Sequence, residues 1–469
     1  MKDRSHVSAD AIRSDFSAAM SAMYRDEVPA YGTLMALVAR VNGETLAADP
    51  QLRGRLEATD SLERISQERH GAIRLGTAEE LSMMRRVFSV MGMYPVGYYD
   101  LSTAGVPVHS TAFRPVGDAA LKRNPFRVFT SLLRLDLVAD VALRNEAAKV
   151  LAARKIFTDR AIELVDKAER DGGLDAADAK AFVGEVLETF RWHDRAIVGA
   201  GMYRRLHDAH RLIADVVSFR GPHINHLTPR TLDIDRVQAL MPEEGIAPKA
   251  VVEGPPTRKC AILLRQTSFK ALEEPVSFIG EDGAWKTGSH TARFGEIEQR
   301  GIALTPKGRA LYDRLLGDTR AIARPAADGS NAAEYEAALT EVFAAFPDDW
   351  NEIRKAGLGY FAYSLTEKGR TAKASGRHPG GDIEALIASG HVQFDPIVYE
   401  DFLPVSAAGI FQSNLGDDAA QEFAASPNQV MFERDLGVAV LDEFAHYAGI
   451  EKASMEECLG MASMADAAE

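Results

Sequence analysis

Arg293-Phe294-Gly295-Glu296-Ile297-Glu298-Gln299-Arg300-Gly301 reads as a strand with two carboxylates on one face. Period-two alternation sets Phe294, Glu296 and Glu298 on one side and Gly295 and Ile297 on the other. If that side faces a core, each carboxylate must neutralise or find a partner, because a lone buried charge is too costly. A metal ion is one such partner, and Arg293 or Arg300 is another. An exposed edge strand is the third reading. Read as a buried strand, the stretch closes a set of strand-like segments around a polar site and makes the chain α+β.

Working outward, Ser14–Tyr24 and Tyr31–Asn42 space apolar residues at three and four, so residues 8–57 read mostly as helix. Thr77 and Glu80 form a capping-box pattern that opens a helix running to Val90. The period then changes: Val96–Leu101 and Val106–Phe113 read as two strands joined by a Thr-Ala-Gly turn. A helical block follows from about 132 to 217, with a helix–helix turn at Asp171-Gly172-Gly173-Leu174. A second mixed region places strands at His223–Leu227, Ala261–Gln266, Pro275–Phe278 and Thr291–Glu298, and a short helix at Asp235–Leu240. Helix returns after Thr305, with Ala332–Phe346 prominent. Two helix-then-strand regions flanking a helical insertion suggest a duplicated module whose sheets meet at one site. No linker or low-complexity segment divides the chain, so it reads as one composite catalytic domain, 1–469. Its sheet core comes mainly from 60–130, 218–305 and 395–415.

Two histidine settings stand upstream of the acidic strand. In Glu68-Arg69-His70-Gly71-Ala72-Ile73-Arg74, a helical turn over Gln67–Leu75 would put His70 and Arg74 on one face. An imidazole on a metal would then sit beside a guanidinium able to clamp a substrate carboxylate. Solvated helix surface is the plain alternative. In Gly221-Pro222-His223-Ile224-Asn225-His226-Leu227-Thr228, a strand would turn His223 and His226 to opposite faces. His226 is the preferred ligand, with His223 or Asn225 as support behind it; a histidine capping a Pro-flanked turn is the alternative. Two imidazoles and one carboxylate form the face that non-haem Fe(II) oxygenases use, leaving positions open for substrate and dioxygen. His109 lies on a strand that could approach the site, and His290 sits in a turn-like Gly288-Ser289-His290-Thr291. No HExxH, Walker loop, dinucleotide fingerprint or GxSxG is present.

The 469 residues are 46% hydrophobic and 26% charged, the balance of a globular enzyme. A net charge of −14 argues against nucleic acid as a partner. The two cysteines, Cys260 and Cys458, are far apart and in no ligand spacing, which fits a reducing cytoplasm. Acidic residues Asp3, Asp10, Asp15 and Glu27 interrupt any signal-like start, and no apolar run reaches about 18 residues, so neither secretion nor a membrane partner is expected.

Together the segments 68–74, 221–228, 290–301 and Phe402-Leu403-Pro404-Val405-Ser406-Ala407-Ala408-Gly409 resemble the 2-oxoadipate dioxygenase/decarboxylase family, also called hydroxyglutarate synthase. The similarity runs through nearly the whole chain. It implies a vicinal-oxygen-chelate-like β-sheet core around a metal site with large helical insertions. It implies Fe(II) held by His70, His226 and a glutamate of the 296/298 pair, taken as Glu296 with Glu298 in reserve. Arg74 matches the family's substrate-carboxylate arginine and catalytic residue, and Val405 a position whose backbone touches substrate; His70 also borders the substrate. The implied reaction converts 2-oxoadipate and O2 to D-2-hydroxyglutarate and CO2 in lysine catabolism. A Zn-dependent hydrolase or lyase on the same ligands, or a non-catalytic dicarboxylate-binding metalloprotein, are the rival readings. The residues set no oligomeric state and no substrate chain length.

Overall fold

The computed structural model describes residues 6–58, 62–280, 282–326, 329–376, 381–403 and 427–460, leaving aside the side chains at 55, 58, 103 and 427. Where the sequence reads as one composite domain, packing groups the chain into two compact units, each drawn from separated stretches. The first comprises Met1–Glu253, Gln266–Gln299 and Phe402–Leu441; the second comprises Gly254–Arg265, Arg300–Asp401 and Asp442–Glu469.

The strands of the first half of the chain are β1 (Arg69–Leu75), β2 (Tyr94–Asp100), β3 (Val108–Arg114), β4 (Arg127–Leu133), β5 (Arg195–Gly199) and β6 (Leu227–Pro229). Those that follow are β7 (Leu264–Ser268), β8 (Glu273–Ile279), β9 (Trp285–Thr291) and β10 (Glu296–Arg300). A five-stranded sheet in the order β2-β3-β4-β1-β6 carries the site. β1 runs parallel to β4 and antiparallel to β6, while β2-β3-β4 is an antiparallel meander. The helix Ala78–Val90 crosses between β1 and β2, so this part is a βαβββ unit. The core is α+β, as the sequence reading expects.

Why this sheet lies buried on both faces follows from its side chains. Every residue of β1, β3 and β4 is buried. Ile73 and Leu75 of β1, Phe113 of β3 and Val128 and Leu132 of β4 join one core with Leu81, Met84, Val87 and Phe88 of the crossing helix and Phe16 and Met20 of helix Ala9–Glu27. Ala72, Ala112, Phe129 and Leu133 point the other way, into a second core with Leu143 and Leu212–Val217. Each large apolar side chain so buried contributes about 1.5–3 kcal/mol. Small residues on the second side leave room for polar neighbours.

Several elements differ from the sequence reading. Gln67–Leu75 is not a helical turn: helix Leu62–Gln67 stops and β1 begins at Arg69, because pairing on both flanks outweighs local propensity. His223–Leu227 is no strand; only Leu227–Pro229 pairs, since Pro222 and the left-handed His223 (φ +23°) bend the chain before it. Thr291–Glu298 is two strands, β9 and β10, split at Ala292–Gly295. His290 therefore sits in β9 rather than in a turn. Thr77 caps its helix, but the Glu80 carboxylate accepts from the Gly76 N–H at 2.7 Å instead of closing a capping box. The 132–217 block holds helices Val141–Ala153, Asp159–Asp171, Ala176–Phe190, Ala200–Ala209 and Arg211–Ser218, with β5 between. Gly172, at φ +76°, ends the second of these where the turn was expected. The two halves are unequal: β5-β8-β9 form a separate three-stranded sheet, while β7 pairs with β10 and bridges to Glu253 through Gln266.

In the second unit, β11 (Phe361–Leu365) and β12 (Val392–Pro396) pair antiparallel amid helices that include Pro306–Ile322, Ala332–Phe343 and Glu443–Leu459. Of the expected 395–415 contribution, Val392–Pro396 pairs in this hairpin, and 404–415 lies outside the described residues.

Candidate metal centre

His70 projects from β1 with Arg127 of β4 and Thr228 of β6 as its register neighbours. His226 arrives from the bent segment before β6. That segment is stitched in place by Ile224 N–H to Phe190 O, Asn225 N–H to Ala72 O and Phe294 N–H to Asn225 O. The Tyr24 hydroxyl donates to both Asn225 O and Phe294 O, at 3.1 and 2.7 Å, and ties the first helix to the same place. Glu296 opens β10. The three side chains are fully buried and each offers one ligand atom within 4.8 Å of the others.

The two carboxylates of β10 share a face, as read from the sequence, and take opposite edges of one imidazole. Glu296 Oε2 lies 3.0 Å from His70 Nε2, and Glu298 Oε2 lies 3.0 Å from His70 Nδ1. Glu296 Oε2 is also 3.6 Å from His226 Nε2, and it accepts from Thr228 Oγ1 at 2.9 Å and Gln266 Nε2 at 3.1 Å. Glu298 instead faces Arg127, 3.9 Å away. Behind Arg127 stands Glu68, buried and bound by Arg127 at 2.7 Å and Arg230 at 2.9 Å. The carboxylates are thus divided: Glu296 looks inward to both histidines, and Glu298 braces one of them.

Electrostatics follow from burial. Burial pushes the His70 imidazole down, but Glu298 and Glu296 outweigh it and hold it above the ordinary range. Burial, with His70 and Arg74 nearby, holds His226 well below it, so this ring is neutral at neutral pH. Neither nitrogen of His226 has a hydrogen-bond partner in the protein, nor has Glu296 Oε1. A neutral imidazole offers one lone pair, so with Glu296 Oε1 two buried acceptors lack a partner, which is expensive unless a cation takes them. A divalent cation fits this donor set.

Arg74 shares the His70 face of β1 although the segment is a strand, because a separation of four is even and keeps both side chains on one side. Its Nη1 donates to Asp215 Oδ2 at 2.7 Å. His223 supports Asp215, at 3.2 Å, rather than standing behind the ligands, and His290 donates to the same oxygen region at 2.9 Å. Asn225 stays buried with its amide unpartnered in the protein. His109 packs against Tyr98 and Phe432. Val405 lies outside the described residues. Phe402 and Phe294 wall the centre, 4.9 Å from His70 and 4.8 Å from His226. The sequence reading missed Asp215, Thr228 and Gln266. A lone carboxylate inside the apolar run Leu212–Val217 was the available signal for the first.

The 2-oxoadipate dioxygenase/decarboxylase family matches residues 16–414. The chain belongs to that family. A 2-oxoadipate dioxygenase/decarboxylase of Pseudomonas putida is 60% identical over 452 residues, 96% of this chain and 97% of the relative. The 2-oxoadipate dioxygenase/decarboxylase of Escherichia coli is 57% identical over 452 residues, covering 96% and 98%. Among solved structures, the hydroxyglutarate synthase of Pseudomonas putida in complex with 2-oxoadipate superposes with a TM-score of 0.89 at 57% identity, over 97% of this chain and 99% of that one. Among the described residues, no helix is long and apolar enough to cross a membrane.

Proposed function

We propose that this member of the 2-oxoadipate dioxygenase/decarboxylase family converts 2-oxoadipate and O2 to D-2-hydroxyglutarate and CO2 at one Fe(II) held by His70, His226 and Glu296. One observation carries the metal reading: two imidazoles and one carboxylate converge fully buried, with one ligand atom of each within 4.8 Å of the others. The family membership supports the substrate and the reaction. The atoms balance, one oxygen of O2 entering the new carboxylate and the other the hydroxyl.

Bound Fe(II) would supply the dioxygen chemistry that no side chain possesses. The protein's own part is to hold and orient. His226 is kept neutral by burial, so its lone pair is available for a ligand bond. Glu298 meets His70 on Nδ1, which leaves Nε2 for the metal, as carboxylates behind metal-bound histidines do elsewhere. Thr228 and Gln266 fix the rotamer of Glu296. Arg74 clamps a carboxylate of the substrate, and holding it so makes the reacting step effectively unimolecular. Val405 is the proposed backbone contact. Phe294 and Phe402 would limit the access of water to the bound metal. A cytoplasmic place in lysine breakdown suits the two buried, unpaired cysteines.

An oxygen electrode tests this reading on iron-loaded protein supplied with 2-oxo dicarboxylic acids of graded length. Stoichiometric O2 uptake and CO2 release with 2-oxoadipate, dependent on Fe(II) and absent with Zn(II), is the expected result. Substrate breakdown without O2 uptake in the zinc form would favour a hydrolase or lyase. Binding without turnover in air would make the chain a sensor.

A further inference from the structure

His70 and Arg74 lie four residues apart on one face of β1, about 13 Å between Cα atoms at about 3.3 Å per residue. A diacid held by one end at His70 would reach toward Arg74 with its other end. Arg74 is not left to find that orientation alone. Asp215, buried on helix Arg211–Ser218, takes Arg74 Nη1 on Oδ2 at 2.7 Å. Its other oxygen accepts from His290 Nε2 at 2.9 Å and lies 3.2 Å from His223 Nε2. His290 Nδ1 in turn meets the Tyr203 hydroxyl at 2.8 Å. Phe219 packs on His290 and Trp192 on His223, with ring centres 4.7 and 4.8 Å apart.

Side chains from three separate segments thus converge on one carboxylate. His223 does so at φ +23°, a conformation that side chains other than glycine rarely adopt. Such a backbone persists where the surroundings over-determine it, and it clusters at functional places. Stability does not account for the cluster, since buried ionic groups are commonly matched or bettered by apolar packing. A guanidinium presents five N–H donors, so fixing its plane at Nη1 still allows it to face a second carboxylate.

We infer that Asp215, braced by His223 and His290, is the positioning residue that aims Arg74 at the carboxylate farthest from the keto group, and so sets the preference for a diacid. This rests on the 2-oxo dicarboxylate reading above. The test pairs 2-oxoadipate with 2-oxohexanoate, in which a methyl group replaces the far carboxylate. Anaerobic binding titrations and steady-state kinetics are run on iron-loaded protein, with iron content and melting as controls. Asp215→Asn should weaken 2-oxoadipate roughly tenfold or more, the loss typical of a broken charged hydrogen bond, while 2-oxohexanoate and iron content hold. The same change should raise KM more than it lowers kcat. Added to Arg74→Ala it should cost little more, because the two act as one unit.

If Asp215→Asn does not fold, His223→Asn takes its place, since asparagine tolerates left-handed backbone; the same selective loss is expected, smaller in size. Equal loss for both acids, or no loss for either, overturns the inference. If the unaltered protein binds 2-oxoadipate selectively yet consumes no O2, the oxygenase reading falls and the role of Asp215 stands. If it binds both acids equally, the role of Asp215 falls whatever the turnover.

Discussion

Replacing each glutamate of β10 by glutamine separates their roles. In Glu298→Gln the carboxylate 3.0 Å from His70 Nδ1 and 3.9 Å from Arg127 becomes a neutral amide of the same shape. Arg127 keeps Glu68 at 2.7 Å, so the buried guanidinium is not stranded and the fold should persist. What is lost is the charge that orients and polarises one imidazole of the proposed metal site. Losses of this kind reduce metal affinity about 10–100-fold, or about 1.4–2.7 kcal/mol. Glu296→Gln removes a ligand instead, and puts an amide where Thr228 and Gln266 already donate, at 2.9 and 3.1 Å, to Oε2. That variant should emerge from desalting without iron. Competitive chelator titration gives the affinities, iron analysis the stoichiometry, and melting checks the fold. The reasoning fails if Glu296→Gln retains iron near the unaltered affinity while Glu298→Gln loses it outright.

Three further outcomes can be stated. Gly71→Ala would set a Cβ 2.5 Å from Ile224 Cδ1 and 2.9 Å from the His226 carbonyl oxygen, and since that carbonyl cannot yield as a side-chain tip can, a loss of about 1–3 kcal/mol is expected, with weaker iron retention; an unchanged melting point would contradict it. Arg74→Ala should keep its iron and lose roughly 10–100-fold in kcat/KM for 2-oxoadipate, measured by O2 uptake; full activity removes the arginine from the scheme. His109, buried beside Arg134, has its pKa pushed down to about 4 by burial first and that cation second. Folding therefore excludes a proton that the unfolded chain takes up near its ordinary value of about 6.5. The stability this contributes is whole above that value and drains as pH falls toward the folded value, up to about 3 kcal/mol. Chemical denaturation at pH 7 and pH 4 should show that loss in the native chain and a smaller one in His109→Gln; parallel losses would refute the assignment.

Much of the centre was legible because strand alternation is a strong signal and carboxylates on a buried face are rare. Glu296 and Glu298 on one side of β10 were read correctly, and so was the pairing of His70 with Arg74. The latter survived a wrong element, because a separation of four returns a side chain to the same face in helix and strand alike. His223 and His290 were misread for a common reason. Each belongs to Asp215, which is 8 and 75 positions distant in sequence, and no local pattern reports a partner brought up by tertiary packing.

Periodicity, turn chemistry and composition are local properties, so the chain alone determined that it is α+β, that the 132–217 block is largely helical, and which residue types could hold a cation. Resemblance in long blocks supplied the family. Tertiary structure alone decided which carboxylate looks toward both histidines and which one braces a single ring, since Glu296 and Glu298 are equivalent in pattern and differ only in what the sheet and the His226 segment bring against them. It also decided that Arg74 is anchored, because the anchor comes from a helix whose approach depends on its packing into the second core.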